Sequence, residues 1–342
     1  MNPCRISAFI LSVLALLALM VPIPALGARP ARQGDFAKRI ELTSFIAEMV
    51  RDSGFSEKQL STLFGQVRRE PLVIEAISRP VISPPKWHEY RAQFLTPGRI
   101  LGGLAFWERN RTSLQRAELQ WGVPAEVVVA IVGVETFYGQ NTGRYRVIDA
   151  LATLAFDYPR RAEFFRKELA QFLLLAREQR LSPLAPEGSY AGAMGLPQFM
   201  PSSYRRYAVD FNGDGKVNIW RDGPDVIGSV ANFLAEHGWA AGEPALVPVT
   251  VSGDGIGGEL DLGLSSRRAL RAWMDLGVSV ADAGLISSDP MGMLVMLEGA
   301  GGAEYRLGLQ NFQVLMRYNR SRLYAAAVWD LAQALRAARR ED

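Results

Sequence analysis

Residues 123–139 read Val-Pro-Ala-Glu-Val-Val-Val-Ala-Ile-Val-Gly-Val-Glu-Thr-Phe-Tyr-Gly. The run is strongly apolar, Pro124 sits at a favourable early position, and Gly139 supplies a stop, so the pattern predicts a helix from Val123 to Gly139. One acid breaks its apolar end. Glu135 shares a face with Ile131, Val132, Tyr138 and Gly139. A carboxyl in such a setting is drawn out of water, and desolvation raises its pKa. A carboxyl that keeps its proton near neutral pH is what a general acid needs in order to protonate a glycosidic oxygen. An ordinary helix glutamate paired with an arginine is the other reading that position alone leaves open.

Outward from this helix, the pattern stays mainly helical. Ile40, Phe45, Ile46 and Val50 recur at helical spacing within a run from Phe36 to about Arg69, and Ser56-Glu57-Lys58-Gln59 reads as the N-cap region of a second helix. Residues 79–87 hold three prolines and predict an extended connection. Helix is expected again from His88 to Leu119, over residues 146–180, from Asp225 to Gly238 and from Asn311 to Ala338. Residues 181–224 read as loop. Composition shifts near Gly242, and residues 243–308 carry strand-like pieces at Leu246–Val251, Met293–Leu297 and Tyr305–Leu309, with a short helix near Ser266 to Leu276. The expectation is a mainly α (α+β) chain with these parts: a leader (1–27), an N-terminal helical lobe (36–110), a core (111–242), a small inserted β lobe (243–308) and C-terminal helices (309–342) that complete the core.

The leader call rests on Arg5, the apolar run Ile6 to Val21, and the small-x-small site Ala25-Leu26-Gly27. A transmembrane anchor is the rival reading, but the run ends at Val21-Pro22-Ile23-Pro24 and is short for a bilayer. Cys4 is the single cysteine of 342 residues and precedes the apolar run, so neither a lipid anchor nor a disulfide nor a thiolate metal site is expected after cleavage. Without Arg5, 37 Lys and Arg remain against 35 Asp and Glu. That small excess suits an anionic polymer, and the absence of a basic stripe with interleaved aromatics argues against nucleic acid. Apolar residues make up 49% of the chain, too many for a disordered one.

Three further groups point to chemistry. Ser189 and Gln198 bracket Gly192-Ala193-Met194-Gly195, where small residues let backbone approach a ligand; a tight structural turn is the alternative. Arg160 and Arg161 follow Pro159 and suit a carboxylate, with surface salt bridges as the bland alternative. Asp210-Phe211-Asn212-Gly213-Asp214-Gly215-Lys216 matches the first half of an EF-hand loop, with Asp210, Asn212, Asp214 and the Lys216 carbonyl as calcium ligands. Position twelve is Arg221 rather than Glu, so Asp225 is the expected closing ligand and Asp222 the second choice; an Asx turn without metal is the alternative. Trp220 and Trp239 are read as core.

Trp121-Gly122-Val123-Pro124, Gly133-Val134-Glu135-Thr136, Asp149-Ala150-Leu151-Ala152-Thr153-Leu154, Tyr158-Pro159-Arg160-Arg161, Gly192-Ala193-Met194-Gly195 through Gln198-Phe199-Met200-Pro201-Ser202-Ser203, and Arg317-Tyr318-Asn319 stand in the order seen in MltB-like lytic murein transglycosylases (glycoside hydrolase family 103). The resemblance spans essentially the whole chain after the leader. It implies a lysozyme-like transglycosylase core and cleavage between N-acetylmuramic acid and N-acetylglucosamine in peptidoglycan, with 1,6-anhydromuramoyl ends. Glu135 is then the sole catalytic carboxylate. It further implies groove positions at Tyr90, Tyr318, Asn319 and Tyr324, a Ser189 that orients Glu135 or the substrate, a Gln198 that meets the acetamide sugar, and an EF-hand-like calcium site. Phe164 stands where the family's pattern leads one to expect a groove tyrosine. The residues alone leave Asp149 or Asp157 as second acids, and a hydrolytic muramidase or a non-catalytic peptidoglycan-binding protein as rival functions. The expected setting is the periplasm, as a soluble monomer acting on glycan strands, with cell-wall synthesis proteins as further candidate partners.

Overall fold

The computed structural model describes residues 34–79, 85–253, 255–258 and 266–341. The leader and Cys4 lie outside them. Ile40–Ser53 (α1) stops at Gly54, whose φ of 65° is a left-handed cap. Glu57–Phe64 (α2) starts where Ser56 Oγ accepts the Gln59 amide, as its sequence predicts. Pro71–Ser78 (α3), Trp87–Phe94 (α4), Pro97–Arg109 (α5) and Arg111–Trp121 (α6) follow. The central helix is Ala125–Thr136 (α7), with nine of its residues buried.

This central helix ends three residues before the expected Gly139. Phe137 and Tyr138 take φ of 52° and 58°, a conformation that costs non-glycine residues energy and needs outside support. The support is tertiary. The Tyr138 ring folds back over Gly102, Gly103 and Gly133, where a Cβ would collide with it, and its hydroxyl donates to Arg99 O at 2.9 Å. Thr136 Oγ1 donates to Leu196 O at 3.0 Å and accepts from Gly139 N at 3.1 Å.

Tyr145–Arg146 (β1) pairs with Glu187–Gly188 (β2) around Val147–Asp157 (α8) and Ala162–Glu178 (α9). Pro201–Tyr207 (α10) interrupts the stretch expected to be loop, and Gly223–Glu236 (α11) follows it. Five antiparallel strands form the small sheet: Leu246–Val251 (β3), Arg268–Ala269 (β4), Val278–Ser279 (β5), Met291–Gly299 (β6) and Gly302–Gly308 (β7), in the order β4-β6-β7-β3-β5. Leu270–Asp275 (α12) and Ala283–Ser288 (α13) sit among them. Gln310–Tyr318 (α14) and Arg322–Glu341 (α15) divide the helical stretch expected from Asn311 to Ala338. The break lies at Asn319, whose backbone is extended, and Ser321 Oγ then accepts Tyr324 N at 3.3 Å.

From Gly34 on, the chain clusters as one unit. The N-terminal helices have no core of their own: Phe36, Phe45 and Phe64 share one apolar cluster with α7, α8 and α15. The sheet keeps a smaller cluster around Leu270, Trp273, Leu294 and Leu307. Among the described residues no single helix is long and apolar enough to cross a membrane.

Candidate active site

Helix α7 carries Glu135 on its last turn, half-buried, one residue before the buried Thr136 clamp. Tyr324, on the first turn of α15 and 3% exposed, donates its hydroxyl to Glu135 Oε1 at 2.6 Å. Burial pushes the Glu135 carboxyl up to about 7, against the smaller opposing pull of that hydrogen bond. No arginine or lysine is hydrogen-bonded or ion-paired to Glu135 among the described residues, which removes the ordinary helix pair as its explanation.

The helix break at Asn319 brings Tyr318 and Tyr324 together. Their rings stack at 6.4 Å with 13° between planes, an arrangement that one continuous helix would forbid for residues six apart. Tyr318 donates its hydroxyl to Pro197 O at 2.7 Å and packs against Phe233 and Phe199. The hydroxyls of Tyr318 and Tyr324 are held well above their usual range, first by burial and then by the charge of Glu135. Tyr90, half-buried on α4, is raised by burial and by the same charge, so it faces the same site. Asn319 is exposed at the end of α14.

Gln198 has φ of 52°, and its Nε2 donates to Thr142 O at 3.1 Å and Gly195 O at 2.9 Å. With both amide hydrogens fixed, its Oε1 is oriented as an acceptor. Ser189 Oγ accepts from Ala191 N at 3.3 Å and Ala193 N at 3.1 Å, so it holds the glycine-containing turn and makes no hydrogen bond to Glu135. Arg160 and Arg161 are both exposed. Arg161 lies over the Phe164 and Phe165 rings, and neither arginine hydrogen-bonds or stacks onto Glu135, Tyr318 or Tyr324. Phe164 is 38% exposed.

The two acids that the sequence offers as second carboxylates are engaged elsewhere. Asp149 Oδ1 accepts Arg68 N at 2.9 Å and its Oδ2 pairs with Arg146 at 2.6 Å. Asp157 pairs with Arg39 and Arg69. Both tie the N-terminal segment to α8.

In the acidic loop, Asp210 Oδ1 accepts from Gly213 N at 2.7 Å and Oδ2 from Gly215 N at 2.7 Å, and Asp214 Oδ1 accepts Lys216 N at 2.9 Å. Gly213 and Gly215 have φ of 80° and 85°, which the tight turn requires. Among the described residues no three His, Cys, Asp or Glu side chains converge in metal-binding geometry. The donor set is oxygen only, as a hard cation requires. Asp225 lies in the first turn of α11, beside the loop. It is fully buried and its oxygens accept Phe211 N at 2.8 Å, Asn212 N at 3.4 Å and Asn218 N at 2.7 Å, so it fastens the loop to α11. Asp222 reaches the loop as well, its Oδ2 accepting from Asn212 Nδ2 at 2.7 Å. Trp239 is core at 8% exposure, whereas Trp220 is half-buried beside a cleft, which corrects its reading as core.

Glu135 thus stands half-buried at a helix end within a mainly helical fold, its carboxyl raised to about 7 and hydrogen-bonded by the buried Tyr324. The chain belongs to the transglycosylase SLT domain family, which it matches over residues 37–333. It is 42% identical over 320 residues to the membrane-bound lytic murein transglycosylase B of Escherichia coli (strain K12), covering 90% of this chain and 85% of that one. The soluble lytic transglycosylase SltB1 of Pseudomonas aeruginosa shares 48% identity and a TM-score of 0.81, covering 87% of this chain and 99% of that one. The Escherichia coli lytic transglycosylase Slt35, solved in complex with calcium, shares 40% identity and a TM-score of 0.82, covering 90% of this chain and 97% of that one. The protein is a peptidoglycan lytic transglycosylase with a mainly α fold and a small β lobe.

Proposed function

We propose that Glu135 alone performs both halves of a ring-closing cleavage of the bond between N-acetylmuramic acid and N-acetylglucosamine. The single observation that carries this reading is the half-buried carboxyl raised to about 7 with the Tyr324 hydroxyl on it. The protonated carboxyl gives its proton to the glycosidic oxygen as the bond from muramoyl C1 to that oxygen breaks. The resulting carboxylate takes the proton of the muramoyl C6 hydroxyl while that oxygen bonds to C1. One bond breaks, one forms, Glu135 ends protonated, and no water is consumed. The Tyr324 hydroxyl stabilises the carboxylate between the two transfers. The fixed Gln198 Oε1 supports a contact with an acetamide N–H, and the half-buried Tyr90 supports a groove wall beside the acid.

Mass spectrometry of digests of purified sacculi tests this. Anhydromuramoyl ends are the expected product; reducing muramoyl ends would make the enzyme a hydrolase and remove the ring-closing step.

The acidic loop supports a structural calcium ion, held by Asp210, Asn212, Asp214 and the Lys216 carbonyl, with Asp222 in place of Asp225 as the closing carboxylate. Calcium returned to the chelated protein is expected to raise Tm by several degrees, since a ligand that binds only the folded state stabilises it by mass action. An unchanged Tm would leave the loop as a turn held by its own hydrogen bonds. The leader-like first residues support a periplasmic setting for the cleaved, soluble chain, although the Escherichia coli relative is named as membrane-bound.

A further inference from the structure

We propose that Asp330 is a positioning residue for the cleavage: from α15 it holds Arg91 of α4 and Arg306 of β7, and so sets the wall that carries Tyr90 beside Glu135. The inference rests on the reading of Glu135 as proton donor and adds what limits water at that carboxyl.

Helix α4 cannot place itself. Eight residues are too few for a helix to be stable alone, and Trp87 is the one residue of α4 that is buried. Two stripes at i, i+4 spacing divide its surface. Trp87 and Arg91 form the first. Trp87 Nε1 donates to Glu304 Oε2 at 3.2 Å, the Arg306 guanidinium lies over the Trp87 ring at 5.3 Å, and Arg91 Nε donates to Asp330 Oδ2 at 2.7 Å. Tyr90 and Phe94 form the second, with ring centroids 5.0 Å apart, and pack on the apolar cluster that holds α7 and α15. Polar contacts on the first stripe therefore fix how the second meets the site.

Asp330 is the centre of those contacts. Its side chain is 11% exposed, Arg306 grips it through both Nη1 and Nη2, and Arg91 shares Oδ2. A single ion pair at the surface contributes little. A nearly buried carboxylate shared by two guanidiniums from two other elements has a fixed geometry, and loss of a partner leaves charge uncompensated. Asp330 follows Tyr324 by six residues on α15. The helix that hydrogen-bonds Glu135 is thus the same one that anchors the neighbouring wall. Among the described residues, the titratable groups facing Glu135 are Tyr90 on α4, Tyr318 on α14 and Tyr324 on α15. Helices α5, α6 and α11 also pack on α7, and none of their charged side chains described here hydrogen-bonds or ion-pairs with Glu135.

The test is the pH profile of kcat/KM on purified glycan strands for wild type, Arg91→Gln, Arg91→Lys and Asp330→Asn. The protonated form of Glu135 is lost as pH rises, so the alkaline limb reports its pKa in the free enzyme. Opening the wall hydrates the carboxyl and moves that limb towards acid. Removing the positive charge of Arg91 by itself would move it the other way, so the sign of the shift in Arg91→Gln separates the two causes. The expected result for Arg91→Gln is a limb about one unit lower and a rate on the acidic plateau about tenfold lower. Arg91→Lys is expected to recover most of both, and Asp330→Asn to shift in the same direction as Arg91→Gln. Arg91 is the exposed member of the pair, so Arg91→Gln carries the test if Asp330→Asn fails to fold. A limb that stays put or rises in Arg91→Gln overturns the assignment, whatever the plateau rate does. A wild-type profile with no alkaline limb near 7 would strike Glu135 as proton donor instead, so the two failures are distinguishable.

Discussion

Glu135→Gln is expected to lose at least about a thousandfold in the rate of sacculus solubilisation, because the proposed mechanism gives and takes its proton at this one group. The same substitution should make the protein more stable, in a pH-dependent way. The folded carboxyl titrates near 7 against an ordinary 4.5. Below about pH 4.5 the side chain is protonated in both states, and folding carries no penalty at this site. As pH rises from there, the unfolded chain ionises freely while the folded chain resists, so wild type loses stability until about pH 7 and the loss is then complete. The half-buried position of the side chain reduces the full linkage value, which leaves about 2 kcal/mol at pH 8. Gln keeps an oxygen for the Tyr324 hydroxyl and has no charge to desolvate. Denaturant unfolding of both proteins at pH 4 and pH 8 checks this: the curves should coincide at the lower pH and separate at the higher one, with the variant more stable. An inactive variant that is less stable than wild type at both values would mean that the site needs the carboxyl for its structure. Retained lysis above about a hundredth of wild type would remove Glu135 as the proton donor.

What made this site legible was local pattern. The apolar run with Pro124 at one end and Gly139 at the other announces a buried helix, and an acid inside such a run is conspicuous. Leu246–Val251 reads as a strand and pairs as one, because alternation and β-branched residues are visible in any six-residue window. The strand expected at Met293–Leu297 extends to Met291–Gly299, since the Gly299–Gly302 end of the hairpin lets pairing continue to its tip. The two-residue strands at Arg268–Ala269 and Val278–Ser279 have no pattern of their own and exist only because longer strands pass beside them. Long-range contacts were the least visible. Tyr324 lies 189 residues from Glu135, and no periodicity connects them. Their meeting depends on the chain break at Asn319, a residue whose side chain gives little warning. Tyr138 stops α7 early for the same kind of reason: its ring lies over three glycines, two of them on another helix. Arg99, packed between the Phe94 and Phe137 rings, escaped notice because an arginine outside a motif reads as surface.

Asp225→Ala is expected to produce the largest loss of stability of any single change at the acidic loop, about 3 kcal/mol, and a Tm lower by about 5 °C. The carboxylate is fully buried, and burial raises its pKa while the amides of Asn218, Phe211 and Asn212 pull the other way. Those amides sit on both sides of the loop, so truncation leaves the N–H groups of buried Phe211, half-buried Asn218 and exposed Asn212 without their acceptor and detaches the loop from α11. Asn is no remedy. Its amide nitrogen has to face either Asn218 N–H or the Phe211 and Asn212 pair, a donor opposed to a donor, so Asp225→Asn should recover less than half of the loss. The measurement is made in chelator, where any contribution from a bound cation is absent. A drop of that size there assigns the cost to the hydrogen bonds. If the variant matched wild type in chelator and fell behind only when calcium was added, Asp225 would instead be a ligand, and Asp222 would lose the place that its contact with Asn212 gives it. Lysis should fall only as far as the folded fraction does, because Asp225 fastens a loop beside the groove and touches none of Glu135, Tyr324 or Gln198 through a hydrogen bond.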